Sequence, residues 1–475
     1  MNFNSILFLI FFVLVFTIHW TFFSKSNKFQ NLFLFISSLL FYAGWDYRFL
    51  SLILFSTIID FYLGIVIENP RFDKQKKKLL LLSLVSNLGL LFVFKYFNFF
   101  LDSFLTISTL IGFPVNVRLL NIVLPVGISF YTFQTLSYTI DVYRGKISAT
   151  RDFILFASYV TFFPQLVAGP IERARRILPQ LSKKRTFDWN QSRDGVRKII
   201  LGFFKKVVIA DSLSPMVDFT FNNYQELSSL ALLLGAFYFT IQIYCDFSGY
   251  SDIAIGISKL FGINLMENFN YPYFSKNIGE FWKRWHISLT TWFRDYLYFP
   301  LGGSHGTVVS AIKNVTIVFI ISGLWHGAKW TYIFWGVIHV IFYIPYFLRR
   351  RGNKNNTFLP LLIFKNKALG IFSTFSIVML SWIFFRSNSI VDAWQYIFRL
   401  FSFTQSNQLI LNPANNLNSG YYILYICFFL SIEYYISLNK KETILIERGI
   451  NVLLLLISLF FVQIQEAESF IYFQF

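Results

Sequence analysis

The sequence predicts an all-α, polytopic integral membrane protein with about 11–13 transmembrane or re-entrant helices, at ~20 residues per crossing. Three observations carry this. Of the 475 residues, 55% are hydrophobic and 62 are phenylalanine. Charged residues make up 14%, against about 25% in an average soluble domain. Apolar runs of about 20 residues, enough for a ~30 Å hydrocarbon core, recur along the chain with basic loops between them. A soluble fold of this size could not hide so much apolar surface. The whole chain, 1–475, is expected to form one membrane-embedded domain. Within it lie N-terminal helices (1–150), a core with re-entrant and interfacial segments (151–345) and C-terminal helices (346–475).

The net charge of +18 does not point to nucleic acid, because the basic residues gather between apolar runs, as in cytoplasmic loops of membrane proteins. The partner implied is membrane lipid. Cys245 and Cys427 are too far apart in sequence, and too apolar in setting, to suggest a disulfide framework or a metal site. The stretch Phe3–Phe23 has neither a basic start nor a small-residue cleavage site, so it reads as a retained helix, not a secretory signal.

The first helix runs to about Phe23 and ends at Lys25 and Lys28. The second covers about Phe29–Ala43 and the third about Phe49–Ile67, which stops at Asn69-Pro70 and the basic run Arg71–Lys78. Both basic loops belong in the cytoplasm. A fourth helix, about Leu79–Leu101, carries Lys95, expected to snorkel. Asp102–Asn121 reads as a short outer connection. Leu124–Arg144 is a helix rich in Ser, Thr, Tyr and Gln, which either join helices or line a polar path. Phe153–Ala168 is short, flanked by basic residues on both sides and closed by Gly169-Pro170. It is expected to be re-entrant or interfacial. Arg193–Lys206 reads as a basic amphipathic helix on the cytoplasmic surface.

Leu230–Tyr244 resumes the apolar pattern and leads into Cys245–Asp252, with carboxylates at Asp246 and Asp252. Asp252 suits an N-cap before Ile253–Phe261; Asp246 stays open between packing, cation binding and acid–base work. The polar loop Asn268–Asn277 precedes one amphipathic helix, Ile278–Phe299. On a helical wheel Trp282, Trp285, His286, Leu289, Trp292, Phe293 and Tyr296 share one half, opposite Lys283, Arg284, Arg294 and Asp295. Ala311–Trp325 is apolar and ends in His326-Gly327. Thr331–Leu348 follows, with His339, and is closed by Arg349–Arg351. Helices about Ala368–Phe385, Tyr421–Ile436 and Ile450–Ile464 complete the bundle.

No Walker loop, dinucleotide-binding glycine pattern, Gly-x-Ser-x-Gly elbow or His-Glu-x-x-His is present. The five histidines, at 19, 286, 305, 326 and 339, have no metal-ligand spacing. Two of them form Trp-His pairs, Trp285-His286 and Trp325-His326. A histidine in an apolar setting is costly unless it has a partner or a task. Burial keeps an imidazole neutral and therefore able to take a proton from a hydroxyl attacking an activated acyl group. For His326 the residues leave two readings open, a general base and a helix–helix hydrogen bond. His339 and His19 read as structural and His305 as solvent-exposed.

The two Trp-His segments, Phe281–Leu289 and Ser322–Gly327, together with Leu124–Arg144, Phe163–Glu172 and Cys245–Gly256, resemble the membrane-bound O-acyltransferase family. The likeness is to its bacterial branch serving polysaccharide O-acetylation, alginate among the acceptors, and covers roughly residues 1–345 most strongly. The resemblance implies a helical fold around a central tunnel. It matches His326 to the family's catalytic histidine and His286 to a second motif position. It implies acetyl-CoA as cytoplasmic donor with no permanently bound cofactor, and a polysaccharide acceptor. A periplasmic or extracellular SGNH-hydrolase-like acetyltransferase is the implied partner, and the bacterial inner membrane the location. Peptidoglycan, teichoic acid and lipid are alternative acceptors, and a transporter or flippase for a lipid-linked glycan is the rival class. The terminal Phe470–Phe475 resembles an aromatic-Tyr motif of this branch. Tyr472 is thereby a candidate acyl carrier, with an interfacial aromatic anchor as the alternative.

Overall fold

A computed structural model describes residues 3, 5–166, 169–350, 366–403, 419–439, 452–458 and 461. Among these no strand occurs. The chain groups into two compact units, Met1–Val196 with Ala254–Met266, and Arg197–Ile253 with Glu267–Phe475. Among the described residues six segments are long and apolar enough to cross a membrane, the first being Asn27–Glu68. Shorter apolar helices occur at Ile6–Phe22 and Tyr422–Tyr435.

The first unit holds α1 (Ile6–Phe22), α2 (Asn27–Asp46), α3 (Leu50–Glu68), α4 (Lys76–Leu91), α5 (Phe97–Leu110), α6 (Ile128–Tyr143), α7 (Phe153–Thr161), α8 (Phe163–Leu166), α9 (Ala174–Leu181) and the start of α10 (Trp189–Phe203). Helix α5 occupies what the sequence suggested was an outer connection. A π-helical turn, Phe92–Tyr96, joins α4 to α5, so the apolar stretch runs on to Leu110. Lys95 does not simply snorkel: its Nζ lies 3.4 Å from Ser129 Oγ. Helix α6 is buried from Ile128 to Val142, and its hydroxyls join helices. Thr135 Oγ1 donates to Asn87 Oδ1 at 3.3 Å. Asn87 in turn donates to Asp60 on α3 at 2.9 Å, and Ser83 donates to the same carboxylate at 2.5 Å.

Helix α7 has nine residues, about 14 Å at 1.5 Å per residue, less than half the ~30 Å hydrocarbon core. The backbone breaks at Phe162 and continues as α8, both buried. Buried side chains satisfy the polar backbone around the break. Tyr159 Oη donates to the carbonyls of Gln134 and Glu172, each at 3.1 Å, and Gln165 Nε2 donates to the Tyr159 carbonyl at 2.6 Å. Irregular backbone at membrane depth needs such partners.

The second unit continues from α10 through a π-helical segment, Phe204–Asp211, into α11 (Ser212–Asn222), α12 (Ser229–Leu260, of which the residues from Ala254 on belong to the first unit), α13 (Ile278–Arg284), α14 (Ile287–Phe293), α15 (Val308–His326), α16 (Trp330–Arg350), α17 (Lys367–Arg386), α18 (Ile390–Phe401) and α19 (Ser419–Asn439). Residues 452–458 are also helical. The sequence left α18 unassigned.

Three expectations are corrected. The Cys245–Asp252 patch is the interior of the 32-residue α12, not a break, so Asp252 caps nothing. Arg193–Lys206 does not end on the surface, because Lys205 and Lys206 are buried. The segment Ile278–Phe299 is not one helix: it breaks at Trp285-His286 and ends in a π-helical turn, Arg294–Tyr298.

Helices approach closely where side chains are absent. A Cβ on Gly202 would lie 2.6 Å from the Gly249 carbonyl oxygen, and one on Gly249 would lie 2.8 Å from that of Gly202. Small residues at such crossings let backbones touch. Gly249→Val should force α10 and α12 apart and cost about 1–3 kcal/mol. Thermal unfolding followed by fluorescence-detected size exclusion should show a lower midpoint; a wild-type midpoint would refute the close crossing.

Candidate active site

The two Trp-His pairs meet within the second unit. His326 ends α15, with Gly327 as the following residue. Gly323 and Gly327 are small for a packing reason. A Cβ on Gly323 would strike the Tyr332 carbonyl, and one on Gly327 the Tyr332 ring. Their role is to close the α15–α16 hairpin, not to supply unusual dihedrals; Gly327 is extended, at φ −167°. His326 is 3% exposed. Its ring lies 5.1 Å from Trp325, 5.3 Å from Trp335 and 5.3 Å from Phe385. The His286 ring is 6.3 Å away.

His286 occupies the break between α13 and α14 with φ 44° and ψ 54°. A left-handed residue other than glycine costs on the order of 1–3 kcal/mol and persists only where neighbours enforce it. The enforcing neighbour is the loop at Asn268–Asn270. Asn270 N–H donates to the Arg284 carbonyl and Ile287 N–H to the Asn268 carbonyl, both at 2.9 Å. The Asn268 side chain accepts from Ser288 N at 3.2 Å and Ser288 Oγ at 2.9 Å. Its amide donates to Ser251 Oγ on α12 at 3.2 Å. The turn is therefore clamped on both sides of the histidine.

The clamp pushes the imidazole inward. His286 is 1% exposed, and neither ring nitrogen has a hydrogen-bond partner among the described residues. Phe247 packs on it at 4.7 Å and Trp325 at 5.6 Å. Burial lowers its pKa from the usual 6.5 to about 3, so the ring is neutral at physiological pH. A buried, unpartnered polar group costs about 1–3 kcal/mol. Backbone strain and missing partners thus fall on the same residue.

His339 behaves differently. Trp282 Nε1–H donates to its Nδ1 at 3.3 Å, and its Nε2 meets Ser381 Oγ at 3.1 Å. Ser381 donates to the Val378 carbonyl at 2.7 Å, so its oxygen accepts from a His339 Nε2–H. Both ring nitrogens are occupied, as a structural histidine requires. Its ring also meets Trp335 edge-on, at 4.7 Å, and Trp335 is part of the His326 cage. His305 is exposed and His19 belongs to the first unit. Tyr472 lies outside the described residues.

Sequence reasoning missed a set of buried ion pairs beside this cage. Lys206 bridges Asp246 and Asp211, the latter at 2.7 Å. Lys205 bridges Asp252 at 3.0 Å and Glu433 at 3.3 Å. Tyr244 Oη donates to Glu433 at 2.8 Å, and the Tyr244 ring lies 6.1 Å from Trp285. Burial works against both lysine charges, but Asp252 and Glu433 for Lys205, and Asp246 and Asp211 for Lys206, hold both pKa values above the usual lysine range. Asp246 is thus a partner of Lys206. Besides Asp246 and Asp252, the signal that went unread was Glu433, an acid inside an otherwise apolar helix.

A cavity of about 710 Å³ opens among α13–α16. Trp282, Ile287, Phe319 and Tyr343 supply apolar walls, and Lys283, Arg294 and Arg350 supply positive charge. Ser322, one turn before His326, also lines it. No group of metal-ligating residues occurs among the described residues.

Residues 145–389 match the model of the MBOAT, membrane-bound O-acyltransferase family. The chain belongs to the membrane-bound O-acyltransferase family. It is a membrane-embedded O-acyltransferase. It is 40% identical over 415 residues to the probable alginate O-acetylase AlgI of Azotobacter vinelandii, covering 87% of this chain and 81% of that one. It is 34% identical over 398 residues to the peptidoglycan O-acetyltransferase of Helicobacter pylori, covering 78% and 73%. The teichoic acid D-alanyltransferase of Bacillus subtilis is 30% identical over 253 residues, covering 50% and 63%. In this O-acyltransferase the clamp at Asn268 should matter more for activity than for stability. Asn268→Ala removes the side-chain bonds to Ser288 and Ser251, each worth about 0.5–1.5 kcal/mol. Acyl transfer by the purified variant should fall at least tenfold, while its folded yield stays near wild type. Full activity would show that the turn needs no clamp.

Proposed function

We propose that the protein takes acetyl from acetyl-CoA on the cytoplasmic side and passes it outward for O-acetylation of an exported polysaccharide of the alginate type. The observation that carries this is the pair of imidazoles, 6.3 Å apart between ring centroids, in an aromatic cage that excludes water. An acceptor hydroxyl attacks the thioester carbonyl and His326 takes its proton. The carbon–sulfur bond then breaks, and the proton passes to the departing thiolate. His286, held neutral, offers an N–H to the thioester carbonyl and orients the donor. A neutral imidazole polarises a carbonyl without needing to be charged. The 710 Å³ cavity supports the donor reading, since apolar walls with the cations Lys283 and Arg350 suit a long thioester arm bearing phosphates. The relatives named for alginate and peptidoglycan O-acetylation support a saccharide as the acceptor class. A hydrolase-fold acetyltransferase on the outer side is the partner that completes placement, which sets the protein in the inner membrane.

His326→Ala should lower acetyl transfer by about 10²–10⁴-fold, the usual worth of a general base. His286→Ala should chiefly raise KM for acetyl-CoA. Both are read as O-acetyl ester formed with membrane levels of the protein matched; unchanged ester in His326→Ala would remove His326 from the chemistry. Tyr472 is proposed to carry the acetyl group briefly on its phenol oxygen. Tyr472→Phe, which keeps the ring and removes that oxygen, should then abolish transfer to the exported polymer while acetyl-CoA still binds. Wild-type polymer acetylation would leave Tyr472 as an aromatic anchor.

A further inference from the structure

A second concavity in the second unit lies at the end of α17. Its volume is about 280 Å³, just under the ~300–1,000 Å³ of drug-sized ligand pockets. It has room for one ring, not an extended chain. Phe221 and Tyr224 are buried and supply an aromatic base. The Tyr224 hydroxyl is already engaged, 2.7 Å from Gln395 Oε1 and 3.1 Å from Asp392 Oδ1. Arg386 is held by Asp218. In contrast, Asn222, Glu226 and Asn388 face the same cleft with no side-chain partner among the described residues.

The position of the cleft follows from α17. That helix has 20 residues, about 30 Å at 1.5 Å per residue, and so spans the hydrocarbon core. Its first residue, Lys367, follows the basic run Arg349–Arg351, which belongs in the cytoplasm. Arg386 therefore sits at the outward end. The preceding residue, Phe385, packs on the His326 ring at 5.3 Å. The cleft thus begins one residue beyond the wall of the imidazole cage, on the side where the acceptor arrives.

Its chemistry selects a ligand class. A hydroxyl both donates and accepts, and an amide does both, while a carboxylate accepts only. Two amides, a carboxylate and an aromatic base suit a ring of hydroxyls. Phosphate is disfavoured, since Glu226 and Asp392 repel it and the one guanidinium is paired. An acyl chain is disfavoured because the rim is polar.

We infer that this cleft, walled by Asn222, Glu226 and Asn388, docks one pyranose unit of a saccharide at the outer mouth of the active site. This rests on the reading above that the acceptor is a polysaccharide, and it adds that the polymer is held by this chain itself, whichever protein completes the transfer.

The test is equilibrium binding of an uncharged tetrasaccharide, chitotetraose, to the full-length protein in nanodiscs, with no acyl donor present. Wild type should bind saturably. Asn388→Ala and Glu226→Gln should each weaken binding by about tenfold, the worth of one hydrogen bond to a charged or amide group, with thermal unfolding as in wild type. Inorganic phosphate should not compete. Absence of saturable binding, unchanged affinity in both variants, or displacement by phosphate would each overturn the assignment. Because no donor is present, a wild-type protein inert toward acetyl-CoA would refute the acetyl-transfer reading and leave the binding result standing.

Discussion

The left-handed turn at His286 is the constraint on which the site depends. One residue in the αL region redirects the chain between two seven-residue helices, so that an imidazole enters the cage instead of continuing along a helix face. The loop at Asn268 holds it there with backbone bonds on both flanks and a side chain that reaches Ser288 and α12. Without that loop, Trp285-His286 would relax toward the helix that its amphipathic pattern favours. Strain of this kind is stored only where the surroundings over-determine it, and here they are drawn from three separate stretches of the chain.

This explains what could be read in the sequence and what could not. Apolar runs mark α1, α3, α15, α16 and α17 within a few residues, because a membrane span is a local property. The shortness of Phe153–Ala168 and its basic flanks likewise mark it as something other than a crossing. The wheel places Trp282, Trp285, His286, Leu289, Trp292, Phe293 and Tyr296 together, and all seven are buried. The same wheel cannot show the break at His286, because the residues that enforce it lie in a loop that reads only as polar. Glycine and serine around Asp246 resemble a turn, yet α12 runs straight through them. Gly249 serves helix contact with Gly202, a partner 47 positions earlier. Long-range partnerships of this sort are invisible to local patterns.

Charge placement follows the same logic. The two lysines at the π-helical segment look like cytoplasmic-surface residues in a chain of net charge +18. Their burial is tolerable only because four carboxylates, Asp211, Asp246, Asp252 and Glu433, arrive from other positions. Removing one partner of such a pair leaves an uncompensated buried charge, typically worth 3–5 kcal/mol. Local widening of the helix aims both ammonium groups inward, and π-helical turns of this kind often occur at functional sites.

Glu433 has a consequence for biogenesis. An acid at the centre of an isolated helix opposes insertion by about 2.5–3.5 kcal/mol on translocon scales. Helix α19 would therefore partition poorly if it entered lipid alone. Its neutralising partners, Lys205 and Tyr244, are synthesised well before it. The residues that neutralise Glu433 are thus already made when α19 emerges, so pairing onto an existing protein surface favours sequential assembly of the second unit.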